Sequence, residues 1–135
     1  MPSLLATHNA ATNIAVRDIE VSRRFYAETL GLPFVRQDGD QVLVFRSGDS
    51  LLYVYKTDFA GTNQATTLTW SIDPAQPAEF DAIVTALQSK EVAFLHYPDL
   101  PNLTLKGDVH IAQSGNLRVV WFKDPDGNIL TVATA

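Results

Sequence analysis

The sequence contains no cysteine. Disulfides, thiolate nucleophiles and zinc–thiolate sites are therefore excluded, and a reducing, cytoplasmic setting is the expectation. Positive charge is scarce: 10 Lys and Arg stand against 15 Asp and Glu, giving a net charge of −5 and a pI near 4.9. Arg23-Arg24 is the one adjacent basic pair, and it falls in a helix-like stretch where a solvated face explains it. Nothing here forms the basic footprint of a nucleic-acid binder, so no nucleic-acid partner is expected. No stretch approaches the roughly 20 apolar residues of a membrane span, so no membrane partner is expected. Residues 1–11 have neither a basic start nor a long apolar run, so no signal peptide is expected. Metal-binding side chains are also few. The four Glu are Glu20, Glu28, Glu79 and Glu91, all in helix-like stretches or just after one. The three His are His8, His96 and His110.

What is present suits a globular domain. Hydrophobic residues make up 46% and charged residues 19% of 135 residues, enough to bury a core without staples. One domain over residues 1–135 is expected. Thr12 to Val16 alternates with period two and reads as a strand. Asp18 suits a helix N-cap and Glu20 the first turn. Phe25, Tyr26 and Leu30 form an apolar stripe, Gly31 suits the C-terminal cap, and Pro33 prevents continuation. Strands are expected from Phe34, over Gln41 to Arg46 and over Leu51 to Lys56, joined by Asp38-Gly39 and Ser47-Gly48-Asp49 turns.

The order then repeats. Thr66 to Ile72 reads as a strand, and Asp73-Pro74 as a turn. Pro77 suits the first position of a helix, with Phe80, Ile83, Val84 and Leu87 at helical spacing. Val92 to His96 reads as a strand. Tyr97 to Gln113 reads as a long, largely irregular connection with a strand near Val109. It carries Pro98, Pro101 and Gly107 and suits a lid. Leu117 to Lys123 and Ile129 to Ala133 form a last hairpin across Asp124-Pro125-Asp126-Gly127-Asn128. Asp18 precedes Phe25 by seven residues, and Asp73 precedes Phe80 by seven, an echo at an offset of 55. With the matching order of elements, it marks two related units, about residues 11–58 and 66–134.

The segment Asn13-Ile14-Ala15-Val16-Arg17-Asp18-Ile19, followed by Ser22, Phe25-Tyr26 and Leu30-Gly31-Leu32, resembles the opening signature of vicinal-oxygen-chelate proteins. This is the superfamily of glyoxalases, bleomycin-resistance proteins and extradiol dioxygenases. Phe122-Lys123-Asp124-Pro125-Asp126-Gly127-Asn128 resembles the closing signature. The resemblance spans about residues 11 to 134. It implies an α+β fold in which two βαβββ units form a curved mixed sheet around a pocket, and it implies a homodimer. Metal-dependent members place four ligands, His, Gln or Glu, on the first and last strands of the units. Carried over by spacing, those positions fall on Ala11, Tyr53, Thr67 and Thr131. Ala and Thr are poor ligands, so no metal and no other cofactor is expected. A rearranged site using His8 and His110 is the alternative, against a surface or lid role for these histidines.

Strand alternation assigns the faces. Ile14, Val16, Leu52, Val54, Leu68, Trp70 and Phe122 should pack against helices, with Trp70 buried. Asn13, Tyr53, Tyr55, Thr67, Thr69, Trp121 and Thr131 should then line the pocket, with Ala11, Ala15, Ser71 and Ile129 beside them. His110 should reach the ligand from the lid. Aromatics, hydroxyls and one amide suit a small, neutral or aromatic organic molecule. The expected function is metal-free small-molecule binding, resembling the antibiotic-sequestering members. The alternatives are a glyoxalase-type lyase, isomerase or dioxygenase-like enzyme, using Tyr53 or His110 as acid–base or an unassigned metal, and a structural or regulatory dimer with a vestigial pocket.

Overall fold

A computed structural model of the chain describes residues 5–6, 8–113 and 116–134. The chain divides into two compact units, Met1–Thr62 and Asn63–Ala135.

The first unit runs β1 (Thr12–Val16), α1 (Ile19–Arg24), β2 (Phe34–Asp38), β3 (Val42–Ser47) and β4 (Ser50–Lys56). Its sheet has the order β1-β4-β3-β2, with β1 parallel to β4 and the other pairs antiparallel. Asp18 starts α1 as expected. Its carboxylate accepts the Glu20 N–H at 3.0 Å and the Val21 N–H at 3.1 Å. Such a cap contributes about 1 kcal/mol. The helix then widens into a π-helical turn over Phe25–Thr29, where the Leu30 N–H donates to the Phe25 carbonyl at 2.9 Å. Gly31 follows at φ 71, a left-handed conformation that a side chain would strain. Tyr26 is fully buried, along with Ile14, Val16, Leu43, Phe45 and Val54. The rings of Tyr26 and Phe45 lie 5.9 Å apart. Each such side chain contributes about 1.5–3 kcal/mol through burial.

The second unit runs β5 (Thr66–Ile72), α2 (Pro77–Ser89), β6 (Ala93–Leu95), β7 (Leu103–Lys106), β8 (Val109–Ala112), β9 (Arg118–Lys123) and β10 (Ile129–Thr134). The sheet order is β5-β10-β9-β8-β7, with β6 also paired to β9. Pro77 opens α2, and Phe80, Val84 and Leu87 are its buried stripe. The closing turn is held by Asp124, whose carboxylate accepts from the backbone of Asp126 and Asn128 and from the Asn128 side chain at 2.8–2.9 Å.

Three expectations are corrected. The stretch from Tyr97 to Gln113 holds the expected strand near Val109 as β8, but adds an unexpected β7, the two forming an antiparallel hairpin with Leu103 opposite Ala112 and Lys106 opposite Val109. His110 is no surface or lid residue, because it sits on β8 with 0% of its surface exposed. Trp70 is half-buried rather than buried, because β5 is the edge strand of its sheet. The echo also matches in order more than in role. Asp73 accepts the Ala75 N–H in a turn ahead of α2, whereas Asp18 caps α1 directly.

β6 and β8 divide between them one seat beside β9. Leu95 pairs with Trp121 and His110 pairs with Val119. In the first unit, β2 fills the corresponding seat beside β3 as a single strand. Residues 96–109 are thus looped out where an uninterrupted strand would need one residue opposite Val120.

Candidate functional site

The looped-out segment builds a cleft in the second unit. The cleft measures about 260 Å³ and is lined by Gln64, Ala65, Thr66, Tyr97, Leu100, Trp121 and Ile129. Residues opposite one another in a ladder share a face. Trp121 lies opposite Thr131 on β10 and Leu95 on β6, and His110 lies opposite Val119 two residues along. Trp121, Thr131 and His110 therefore share one face of the sheet.

Three rings meet there. His110 and Trp121 pack edge-on with centroids 4.7 Å apart and planes at 79°. Tyr97 meets Trp121 at 5.3 Å and 88°, and meets His110 at 5.8 Å. The Tyr97 backbone N–H donates to His110 Nε2 at 2.9 Å. Nε2 is therefore an acceptor, and the neutral ring carries its proton on Nδ1. Nδ1 is buried without a hydrogen-bond partner. Burial pushes the His110 pKa down; the Val119 backbone partly offsets this, and the charge of His96 adds to it.

Of the residues expected to bind ligand, Trp121 lines this cleft. Thr131 is buried beside it, with Oγ1 3.5 Å from Thr66 Oγ1. The β5–β10 register shifts between Ile129, opposite Thr66, and Leu130, opposite Leu68. That irregularity turns Thr66 to the cleft, whereas Thr67 and Thr69 are not among its lining residues. Thr67 Oγ1 is buried without a partner. Gln64 and Ala65 were not anticipated; Tyr97 and Leu100 fall in the segment expected to cover one end of the pocket but were not named for it. Their only sequence signal is position: Gln64 and Ala65 lead into β5, and Tyr97 and Leu100 follow β6.

Asn13, Tyr53 and Tyr55 belong to the first unit, on the sheet face opposite Ile14 and Val54. One row across that sheet reads Asn13, Tyr53, Val44, Arg36. Val44 is fully buried between Tyr53 and Arg36. The Asp38 carboxylate, 3.0 Å from Arg36 Nε, raises the Arg36 pKa, and the Tyr53 hydroxyl adds to it.

The four positions carried over from the resemblance, Ala11, Tyr53, Thr67 and Thr131, do not fit a metal. Ala11 offers no donor and Thr67 and Thr131 offer neutral hydroxyls. The Tyr53 hydroxyl lies beside a guanidinium, whose charge opposes a cation. Among the described residues, no group of three His, Cys, Asp or Glu could hold a metal ion. As for a site using His110, its Nε2 lone pair is already engaged by Tyr97.

The third histidine forms a tether. His96 Nε2 lies 2.7 Å from Asp108 Oδ1, and the Gln88 side chain donates to Asp108 Oδ2 at 3.0 Å. This ties the tip of the β7–β8 hairpin to α2 and to the segment carrying Tyr97. His96, then Gln88, lower the Asp108 pKa.

No family model matches the chain, and no curated protein matches its sequence. Solved structures do match. A lactoylglutathione lyase from Agrobacterium tumefaciens is similar at 18% identity and a TM-score of 0.70, over 96% of this chain and 94% of that one. A glyoxalase/bleomycin resistance protein/dioxygenase from Alicyclobacillus acidocaldarius is similar at 16% and 0.69, over 95% and 91%. The fosfomycin resistance protein FosX from Mesorhizobium loti is similar at 14% and 0.66, over 97% and 94%. The chain has the vicinal-oxygen-chelate fold. Identities this low carry the fold and no more, and one fold hosts many chemistries. Within the vicinal-oxygen-chelate fold, this chain's second unit departs from plain βαβββ by the β7–β8 hairpin. Among the described residues, no helix is long and apolar enough to cross a membrane.

Proposed function

We propose that this protein binds a small, neutral, planar organic molecule without a metal, in the cleft lined by Trp121 and Tyr97. One observation carries the reading: two large rings stand edge to face at 5.3 Å beside a cleft whose lining holds no charged side chain. Such a lining favours flat apolar ligands, while the Gln64 amide and Thr66 hydroxyl supply orienting hydrogen bonds. The match in fold to a fosfomycin resistance protein and to a glyoxalase/bleomycin resistance protein/dioxygenase is consistent with small-molecule handling. The proposed ligand set is Trp121, Thr131 and His110 behind it, with Thr67 and Thr69 further along β5. Asn13, Tyr53 and Tyr55 form a second candidate face in the first unit. A homodimer and a cytoplasmic setting complete the proposal.

Trp70 and Trp121 are the only tryptophans, which makes the test direct. With Trp70→Phe, Trp121 is the sole indole, and titration with 4-nitrobenzamide, a neutral planar quencher, should give saturable quenching. With Trp121→Phe, saturation should vanish. Saturable quenching of Trp70 alone, or none at Trp121 with any neutral aromatic amide, overturns the reading. About one divalent transition metal per chain, in protein purified without chelator or tag, overturns the metal-free part. A light-scattering mass near 14.8 kDa overturns the dimer.

A further inference from the structure

Tyr97 follows β6 directly and lies outside it, so its side of the cleft depends on what holds its backbone. Its N–H has one described acceptor, the Nε2 of His110 at 2.9 Å. An imidazole nitrogen accepts a hydrogen bond only while it carries no proton. With Nε2 protonated, two N–H groups would face each other across that distance. The bond would be lost and replaced by repulsion, and the Tyr97 ring would leave its edge-on contact with Trp121.

We propose that His110 is the positioning residue of the cleft, a latch that holds Tyr97 against Trp121 while its ring is neutral and releases ligand when Nε2 gains a proton. This rests on the binding reading above and adds its regulation.

The surroundings favour such a switch. The residues facing His110 from neighbouring strands are Val119 and Trp121 of β9 and Leu105 of β7, none of which titrates between about pH 5 and 8. Lys123 stands further along the same face of β9 and is exposed. In the segment after β6, Asp99 is exposed, and His96 is held by Asp108 from the hairpin turn. Gln88 of α2 contributes a neutral amide to that pair. No carboxylate is described in contact with the His110 ring, and the charge of His96 disfavours a proton there. The imidazolium would be fully buried with only the Val119 backbone to offset its desolvation, and relaxes most simply by expelling the segment that covers it.

The sign follows from the lowered pKa. The folded, latched form prefers the neutral ring. Latching is complete above the ordinary histidine pKa and is lost as pH falls through the lowered value.

The test uses the Trp70→Phe protein, with 4-nitrobenzamide as the probe and ¹⁵N-histidine NMR as a readout that needs no ligand. At about pH 7.5 the His110 nitrogens should report the Nδ1–H tautomer, with the Tyr97 amide proton shifted downfield. Between about pH 7.5 and about pH 5 that amide should move upfield and the probe should bind about tenfold more weakly, with one shared midpoint. His110→Gln supplies an uncharged acceptor. It should bind the probe more tightly than His110→Phe does and lose the pH dependence. His110→Phe, which offers no acceptor, should bind weakly at both pH values. Unchanged probe affinity at low pH, or a His110→Gln protein that keeps the pH dependence, overturns the latch. If the probe binds at neither pH, the binding reading falls, and the Tyr97 amide titration alone decides the latch. A pH-independent amide shift then overturns it.

Discussion

The two units share a frame and differ at one seat. In both, a parallel strand pair begins the sheet, a helix covers one face, and an antiparallel neighbour extends it. In the first unit the next seat is filled by β2, five consecutive residues that are all exposed. In the second unit the same seat is split between β6 and β8, and residues 96–109 leave that seat, part of them forming β7 on the far side of β8. The consequence is chemical. The uninterrupted strand presents Arg36 beside Tyr53, giving a charged surface. The interrupted strand delivers Tyr97 and Leu100 to Trp121, giving a neutral cleft. An insertion that leaves the ladder on both sides intact costs little, because loop closure rises slowly with length. A cleft can therefore be added to one repeat without disturbing the shared frame.

The sharpest way to break this comparison is to make the second unit like the first. Replacing residues 96–109 by one residue would join β6 to β8 as a single strand. We expect the far-ultraviolet circular dichroism to keep its helix signature and lose only the strand contribution of β7, and probe binding to disappear. Saturable binding in that protein would mean the cleft is not the site.

The cores should respond alike. Phe45 and Phe122 are each fully or almost fully buried against their unit's helix-side face. Truncating either to alanine should cost about 3–5 kcal/mol in urea denaturation. A cost below about 1 kcal/mol at either position would show that its site collapses around the missing ring.

Much of the frame was readable because its signals are local. Alternation marks β1 and β4, the spacing of Phe80, Val84 and Leu87 marks α2, and Asp-Gly or Gly-Asp pairs mark hairpin turns. The site was less readable because it depends on register. Pro98, Pro101 and Gly107 announce a break, but β7 and β8 are only four residues each and too short for alternation to identify. A lone histidine there suggests a lid, yet pairing to Val119 on one side and Leu105 on the other buries it. Thr66 faces the cleft because an irregularity shifts the phase of β5 by one residue, which no pattern in the strand foretells. Trp70 is half-buried because its strand lies at an edge, a fact of topology rather than of composition.

The units also differ in how an aspartate fixes a turn. Asp18 caps α1 with two backbone bonds and is exposed. Asp124 is buried and accepts from two backbone groups and one side chain. Asp124→Ala leaves those donors unpaired and should cost about 2–3 kcal/mol, whereas Asp18→Ala should cost about 1 kcal/mol. Denaturation midpoints in the reverse order would refute that ranking.

The smallest effect concerns the tether that only the second unit has. His96 and Gln88 lower the Asp108 pKa, so the folded state prefers the ionised carboxylate. The stability this supplies is complete above the ordinary carboxylate pKa and is lost as pH falls through the lowered folded value. Asp108 is partly solvated, with 24% of its side chain exposed, and His96 more so at 48%. Screening therefore holds the contribution to about 0.5–1 kcal/mol. Asp108→Asn keeps the shape and removes the charge. It should lower stability by that amount at neutral pH, and the difference from the parent should close in acid, where the parent carboxylate also becomes neutral. Urea denaturation of both proteins across a pH series measures this directly. A difference that persists unchanged below the carboxylate range would mean that asparagine disturbs the hairpin by shape, and that the Asp108 charge contributes nothing.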